Sequence, residues 1–314
     1  MHVDHIVADT VRNIHYDWDN SRDPILEVES GDVVQFECRD VTDGRLGPES
    51  TAADAVTAID ELQGHPMTGP VSIAGATPGD VLEVELLDFQ HKGIGFTFQL
   101  GDGGGILPAS EMPEPSLHIW ELTEDVGHFV DGIEVPLDPF PGVIGVAPAE
   151  AGPHDTMPPR TVGGNMDVKQ LSANTILLLP VDAADALFSI GDCHAAQGDG
   201  EVCGTGIEAA MSITIQFRLQ SDLRLSHPQL KTTGPFTATG RDQLTHGTTG
   251  TGDTVLEAAR EAVRGMIYHL TSERGLSSAE AYMLCSVVVD LKISEVVNGT
   301  HCVSAYLPES IFPA

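Results

Sequence analysis

The chain has 314 residues, 41% of them hydrophobic, with 47 acidic against 15 basic side chains and a formal net charge of -32. That length and apolar content suffice for a substantial core and exclude a disordered chain. The scarcity of Lys and Arg excludes a broad nucleic-acid surface, and the charge excludes an anionic membrane as partner.

The first ninety residues read as β-structure. "PILEVESGDVVQFECRD" (24–40) alternates apolar and polar residues around Ser30-Gly31-Asp32, which predicts a hairpin. "GDVVQFECRD" (31–40) and "GDVLEVELLD" (79–88) align without a gap, so two similar strands are expected in a sandwich or barrel-like domain. Between them "GHPMTGPVSIAGATPGD" is dense in Gly and Pro and carries His65. Residues 101–165 are expected to be irregular, since their many Pro and Gly exclude helix over most of that length. "NTILLLPVD" (174–182) reads as a buried strand and "MSITIQFRL" (211–219) as an alternating one.

The last third changes character. Apolar residues at 255, 256, 259, 263, 266, 267 and 270 follow a 3.6-residue period that ends at Gly275. A second helix is predicted from Ser277, which forms a capping box with Glu280. "VDLKISEVVN" (289–298) reads as a further helix turn or a strand. The class is therefore α+β, predominantly β, with a C-terminal helical hairpin. One unit over 1–314 is expected, any division falling near 220–252 and separating a β-rich 1–220 from an α+β 250–314.

Lys stands only at 92, 169, 231 and 292, and the acids are spread along the chain. Such a surface suits a salt-adapted protein, because molar salt shrinks the Debye length to about 3 Å and screens self-repulsion. An ordinary acidic enzyme is the plainer alternative. The five cysteines include no CxxC pair, no apolar run approaches a membrane span, and "MHVDHIVADT" shows no signal pattern. A cytoplasmic protein with reduced thiols is expected.

Chemistry concentrates in "SIGDCHAAQGDGEVCGTGIE" (189–208). A structural zinc knuckle would need four closed ligands, and Cys193 and Cys203 are ten apart with no second pair. Cys193 as a thiolate nucleophile would need His194 or Lys169 beside it, yet adjacent residues of an extended segment point to opposite faces. Asp192 and His194, two apart, leave the same face of a strand. Glycines at 191, 198, 200, 204 and 206 let Gln197, Asp199 and Glu201 curl back towards that face. Mixed nitrogen and oxygen ligands suit Zn²⁺ or Mn²⁺, and an all-oxygen subset would suit Ca²⁺ or Mg²⁺. A metal-activated water has a pKa near ~7 rather than ~15.7, and Glu201 or Glu208 could take its proton. In a chain this acidic, solvated surface carboxylates are an equal alternative.

Several runs together carry a resemblance: "WDNSRDPILEVESGDVVQFECRDVTDG" (18–44), "HPMTGPVSIAGATPGDVLEVEL" (65–86), "GGNMDVKQL" (163–171), "ALFSIGDCHAAQGDGEVCGTGIE" (186–208), "VDLKISEVVN" (289–298) and the "LPESIF" ending. In these the sequence resembles the acetamidase/formamidase family of amide hydrolases over nearly its whole length. The resemblance implies a β-sandwich-like core with additional α+β elements, and hydrolysis of a short-chain amide such as formamide or acetamide to the acid and ammonia. It carries over His65, Asn165, Asp167, Asp192, His194, Gln197, Glu201 and Glu208, and implies a bound divalent metal.

The expected assignment gives His65, Asp167, Asp192 and His194 to the metal, with zinc first and calcium or manganese as alternatives. Asp192, His194, Glu201 and Glu208 are the catalytic set, with Glu201 or Glu208 shuttling the proton; Asn165 and Gln197 bind substrate. Position 193 varies in the family pattern, which argues against Cys193. None of the matching runs falls in 101–120 or onward to 163, so the resemblance is not carried by those segments. The partners expected are a small-molecule amide and further copies of the chain in a homo-oligomer. A hydrolase of another C–N substrate and a non-catalytic metal-binding protein are the alternatives.

Overall fold

The computed structural model describes residues 2–101, 103–235, 244–297 and 299–313. Two β-layers form its body. The first runs in the order His5–Val7, Val33–Cys38, Met211–Gln220, Val81–His91, Ile176–Pro180, Gln229–Lys231. The second runs Pro159–Arg160, Gly163–Asn165, Phe140–Gly145, Phe188–His194, Met67–Ile73, Ile14–His15, with Leu26–Val28 added in parallel to Met67–Ile73. Alternation builds the first layer: in Val33–Cys38 every second residue is buried, which turns Val34, Phe36 and Cys38 inward. Phe36 and Phe217 of this layer meet Phe188 of the other, with ring centroids 5.7 and 4.9 Å away. The layers thus close as a sandwich on edge-to-face aromatic contacts. The fold is α+β and predominantly β, as expected.

The two similar Gly-Asp strands flank Met211–Gln220 on either side, both antiparallel to it. The predicted hairpin at 24–40 does not form. Leu26–Val28 lies in the second layer and Val33–Cys38 in the first. The turn between them carries the chain across the layers, pinned where Gly31 N–H donates to the Phe217 carbonyl and Phe217 N–H to that of Asp32. Residues 101–165 are also more regular than expected. Ser116–Leu122, Val126–His128 and Glu134–Pro136 form a four-stranded sheet with Ile94–Gln99, and Phe140–Gly145 enters the second layer. Their prolines sit largely in turns or on an edge strand, where no ladder donor is lost.

Three α-helices stand among the described residues. α1 (Ala52–Asp60), which the sequence reading missed, starts from a Thr51–Asp54 capping box. α2 (Val255–Arg274) ends at a left-handed Gly275, and α3 (Ser278–Val288) opens on the Ser277–Glu280 capping box, both as predicted. Asp290–Glu295 resolves the helix-or-strand alternative as a strand, in a three-stranded sheet ordered Thr245–Gly252, His301–Pro308, Asp290–Glu295. Of the segment 220–252 considered for a division, residues 236–243 lie outside the described residues. On either side, one continuous apolar cluster includes Val34 and Phe188 as well as Val263, Leu284 and Ile311.

Candidate functional site

The strand Phe188–His194 is buried at every position between Phe140–Gly145 and Met67–Ile73. It delivers Asp192 and His194 into the interior, and the chain then turns back so that Glu208 bridges both His194 and Phe96. Asp167 follows the short strand Gly163–Asn165, and Glu201 lies on the returning loop. Asp167, Asp192 and Glu201 all adopt positive φ, at 48, 50 and 43°. For non-glycine residues this costs about 1–3 kcal/mol each and persists where surrounding structure enforces it, most often at functional sites.

His194 is the hub. Its Nε2 lies 2.9 Å from Glu208 Oε1 and 3.5 Å from Glu201 Oε1. Ligand atoms of Asp167, His194 and Glu201 lie within 4.8 Å of one another, as do those of Asp192, His194 and Glu208. His65 Nε2 stands 3.8 Å from Asp192 Oδ2. Gln197 donates its amide to the Asp167 carbonyl at 3.3 Å, and Asn165 donates to the Met157 carbonyl at 3.0 Å. All eight residues singled out in the sequence are thus gathered at one place. What the spacing did not show is that Glu201 and Glu208 join the two ligand clusters as closely as Asp167 and Asp192 do.

Buried polar atoms are normally paired. Here His65 Nδ1, Asp167 Oδ1, Asp192 Oδ1, His194 Nδ1 and Glu208 Oε2 are buried without a hydrogen-bond partner, as are the side-chain oxygens of Asn165 and Gln197. Crowded acids in a dry site resist ionisation. Burial pushes the Asp167 carboxyl up to about 8, with Glu201 and Asp192 adding to the rise against His194. Burial likewise raises Glu208 to about 8, against the pull of His194. Burial alone would lower the His194 imidazole, but Glu208 and Asp192 carry it well above its usual value. A set of acids and imidazoles that holds protons for want of a counter-charge, with donor atoms left over, fits a divalent cation.

Two glycines make room for this hub: Gly206, which the sequence reading named among those of the returning loop, and Gly142, which it missed. A Cβ on Gly142 would stand 2.6 Å from both His194 Cε1 and Asp167 Oδ1, and 2.8 Å from Asp192 Oδ2. One on Gly206 would stand 2.7 Å from His194 Cδ2. The cysteines are bystanders. Cys193 is fully buried in the core, its thiol pushed well up by burial and by the neighbouring Cys38. Lys169, weighed as its partner, instead pairs with Asp290 and lies 3.7 Å from Asp199.

The cluster opens into a cavity of about 490 Å³ lined by His65, Asn165, Asp167, Asp192, Glu201 and Glu208 together with apolar side chains. No helix among the described residues is long and apolar enough to cross a membrane.

Comparison with known proteins gives a consistent result. The pattern of the acetamidase/formamidase family matches residues 1–155 and 150–314. A formamidase of Methylophilus methylotrophus is 29% identical, over 95% of this chain and 89% of that protein. Among solved structures, a gamma lactamase from Delftia acidovorans superposes with a TM-score of 0.89 at 26% identity, covering 99% of this chain and 94% of the other. An acetamidase from Bacillus halodurans superposes with a TM-score of 0.67 at 30% identity, covering 96% and 97%.

Proposed function

Because this chain belongs to the acetamidase/formamidase family and is an amide hydrolase, we propose that its buried acid–histidine cluster hydrolyses a short-chain aliphatic amide to the carboxylic acid and ammonia. The observation that carries this reading is the set of unpartnered buried ligand atoms at the wall of an open cavity. Asp192 and His194, with Asp167 and His65, would hold a divalent cation, zinc before calcium or manganese. Such a cation supplies the positive charge that polarises a carbonyl and makes water acidic.

The chain's own groups do the rest. Glu201, 23% exposed against 2% for Glu208, reaches solvent and substrate and is the better proton carrier from water to the departing nitrogen. Glu208 is tied down by the Gly206 N–H and by His194, and holds the imidazole in orientation. Asn165, whose free oxygen stands at the cavity wall, and Gln197, whose oxygen is also unpartnered, would accept from an amide NH₂. The higher TM-score to the gamma lactamase than to the Bacillus acetamidase supports a second reading, in which the same cluster opens a ring-closed amide. The acidic, Lys-poor composition is the ground for proposing work at high salt, the five free cysteines for a reducing compartment such as the cytoplasm, and the general prevalence of symmetric assemblies for a homo-oligomer.

The test joins cation binding to ammonia release. Asp192→Ala and His194→Ala should lose both together. Since the proton that Asp167 holds up to about 8 must leave before it can bind a cation, affinity should rise with pH through that value. Affinity independent of pH between 6 and 9, or full ammonia release from both variants, would overturn it.

A further inference from the structure

The cavity is far larger than the smallest amides. Formamide has three non-hydrogen atoms and acetamide four, whereas about 490 Å³ would hold some sixteen waters at ~30 Å³ each. Away from the acids its wall is largely apolar, built from Ile59 and Leu62 at and just beyond the end of α1, from Phe98, from Leu107 and Met112 on the following loop, and from Met157, with Gln63, Gln99 and Thr205 between them.

This wall is held in place. The Tyr282 hydroxyl of α3 accepts from Leu107 N–H at 2.9 Å and donates to the Val202 carbonyl, and Arg260 Nε donates to the Ile106 carbonyl at 2.7 Å. The volume is therefore built into the fold. No Lys or Arg lines the cavity among the described residues, while Asp155 adds a further acid to the cluster's own. A substrate whose far end carries a carboxylate would meet Asp155 there, with no Lys or Arg to receive it.

Within the amidase reading, on which this rests, we propose that the preferred substrate is a neutral amide with an apolar acyl group of several carbons, its amide at the acid–histidine cluster and its chain against the Ile59–Leu62–Leu107 wall. Each buried methylene should then raise kcat/KM by about fourfold until the wall is filled.

The experiment measures ammonia release by the intact protein from formamide, acetamide, butyramide and hexanamide, with succinamate as the anionic counterpart of butyramide. The expected result is a rise along the neutral series, butyramide exceeding succinamate by more than tenfold, and a lower hexanamide-to-acetamide ratio in Leu62→Asp and Met157→Asp. Both positions are partly or well exposed, so either variant should fold. Turnover of formamide and acetamide with a level or falling response to longer chains would overturn the substrate class alone. No ammonia from any amide would overturn the amidase reading and this inference with it.

Discussion

The imidazole of His194 is the most constrained ring in the site. Phe140 lies 5.0 Å from it, and Gly142 and Gly206 approach it so closely that neither position can accept a Cβ without displacing it. Gly142 does not have positive φ, so an alanine there would act by overlap rather than by backbone strain. Gly142→Ala should lower kcat/KM by about 10²-fold, as a displacement near 1 Å of a reacting group does. Its stability cost should stay within the ~1–3 kcal/mol of an overpacked interior. Steady-state kinetics and urea denaturation of the same preparation check this, and wild-type turnover would show that the ring is not confined as described. Asp192 and His194 were legible as a pair because a strand repeats every two residues. Gly142 was not, because its neighbours lie 25 to 52 residues away.

At the scale of elements, the returning loop 195–208 is braced from behind by the C-terminal part. Gly198 N–H donates to the Ser286 carbonyl, Cys203 N–H to Ser286 Oγ, and Leu291 N–H to the Asp199 carbonyl. Lys169 joins these pieces: it is 5% exposed and is paired with the equally buried Asp290, beside Asp199. Lys169→Met removes the partner and leaves Asp290 uncompensated, so a loss of about 3–5 kcal/mol is expected in urea denaturation. A loss below about 1 kcal/mol would show that the bracing lies elsewhere. α2 and α3 were legible from period and capping boxes. α1 was not, since nine residues with only Ala55 and Ala58 fully buried give too short a pattern to show a face. The hairpin misreading has a similar cause: alternation tells which residues of a strand face inward, not which strand lies beside it.

Across the whole molecule, the site lies where separate layers meet. The second β-layer supplies Asp192 and His194, the strand Ile94–Gln99 receives Glu208, and α3 fixes the far wall of the cavity. One apolar cluster contains both Val34 and Ile311. The cavity wall was the least legible part, because it comes from the end of α1 and from residues 103–112, whose Gly and Pro gave no periodic signal. On the proposed reading, the acid–histidine cluster hydrolyses an amide only with a divalent cation in place. It is tested most directly by ammonia release from acetamide after exhaustive chelation, with metal content measured on the same sample. No release above background is expected, with recovery on adding one equivalent of zinc, manganese or calcium. Full release from protein shown to be free of metal would contradict it.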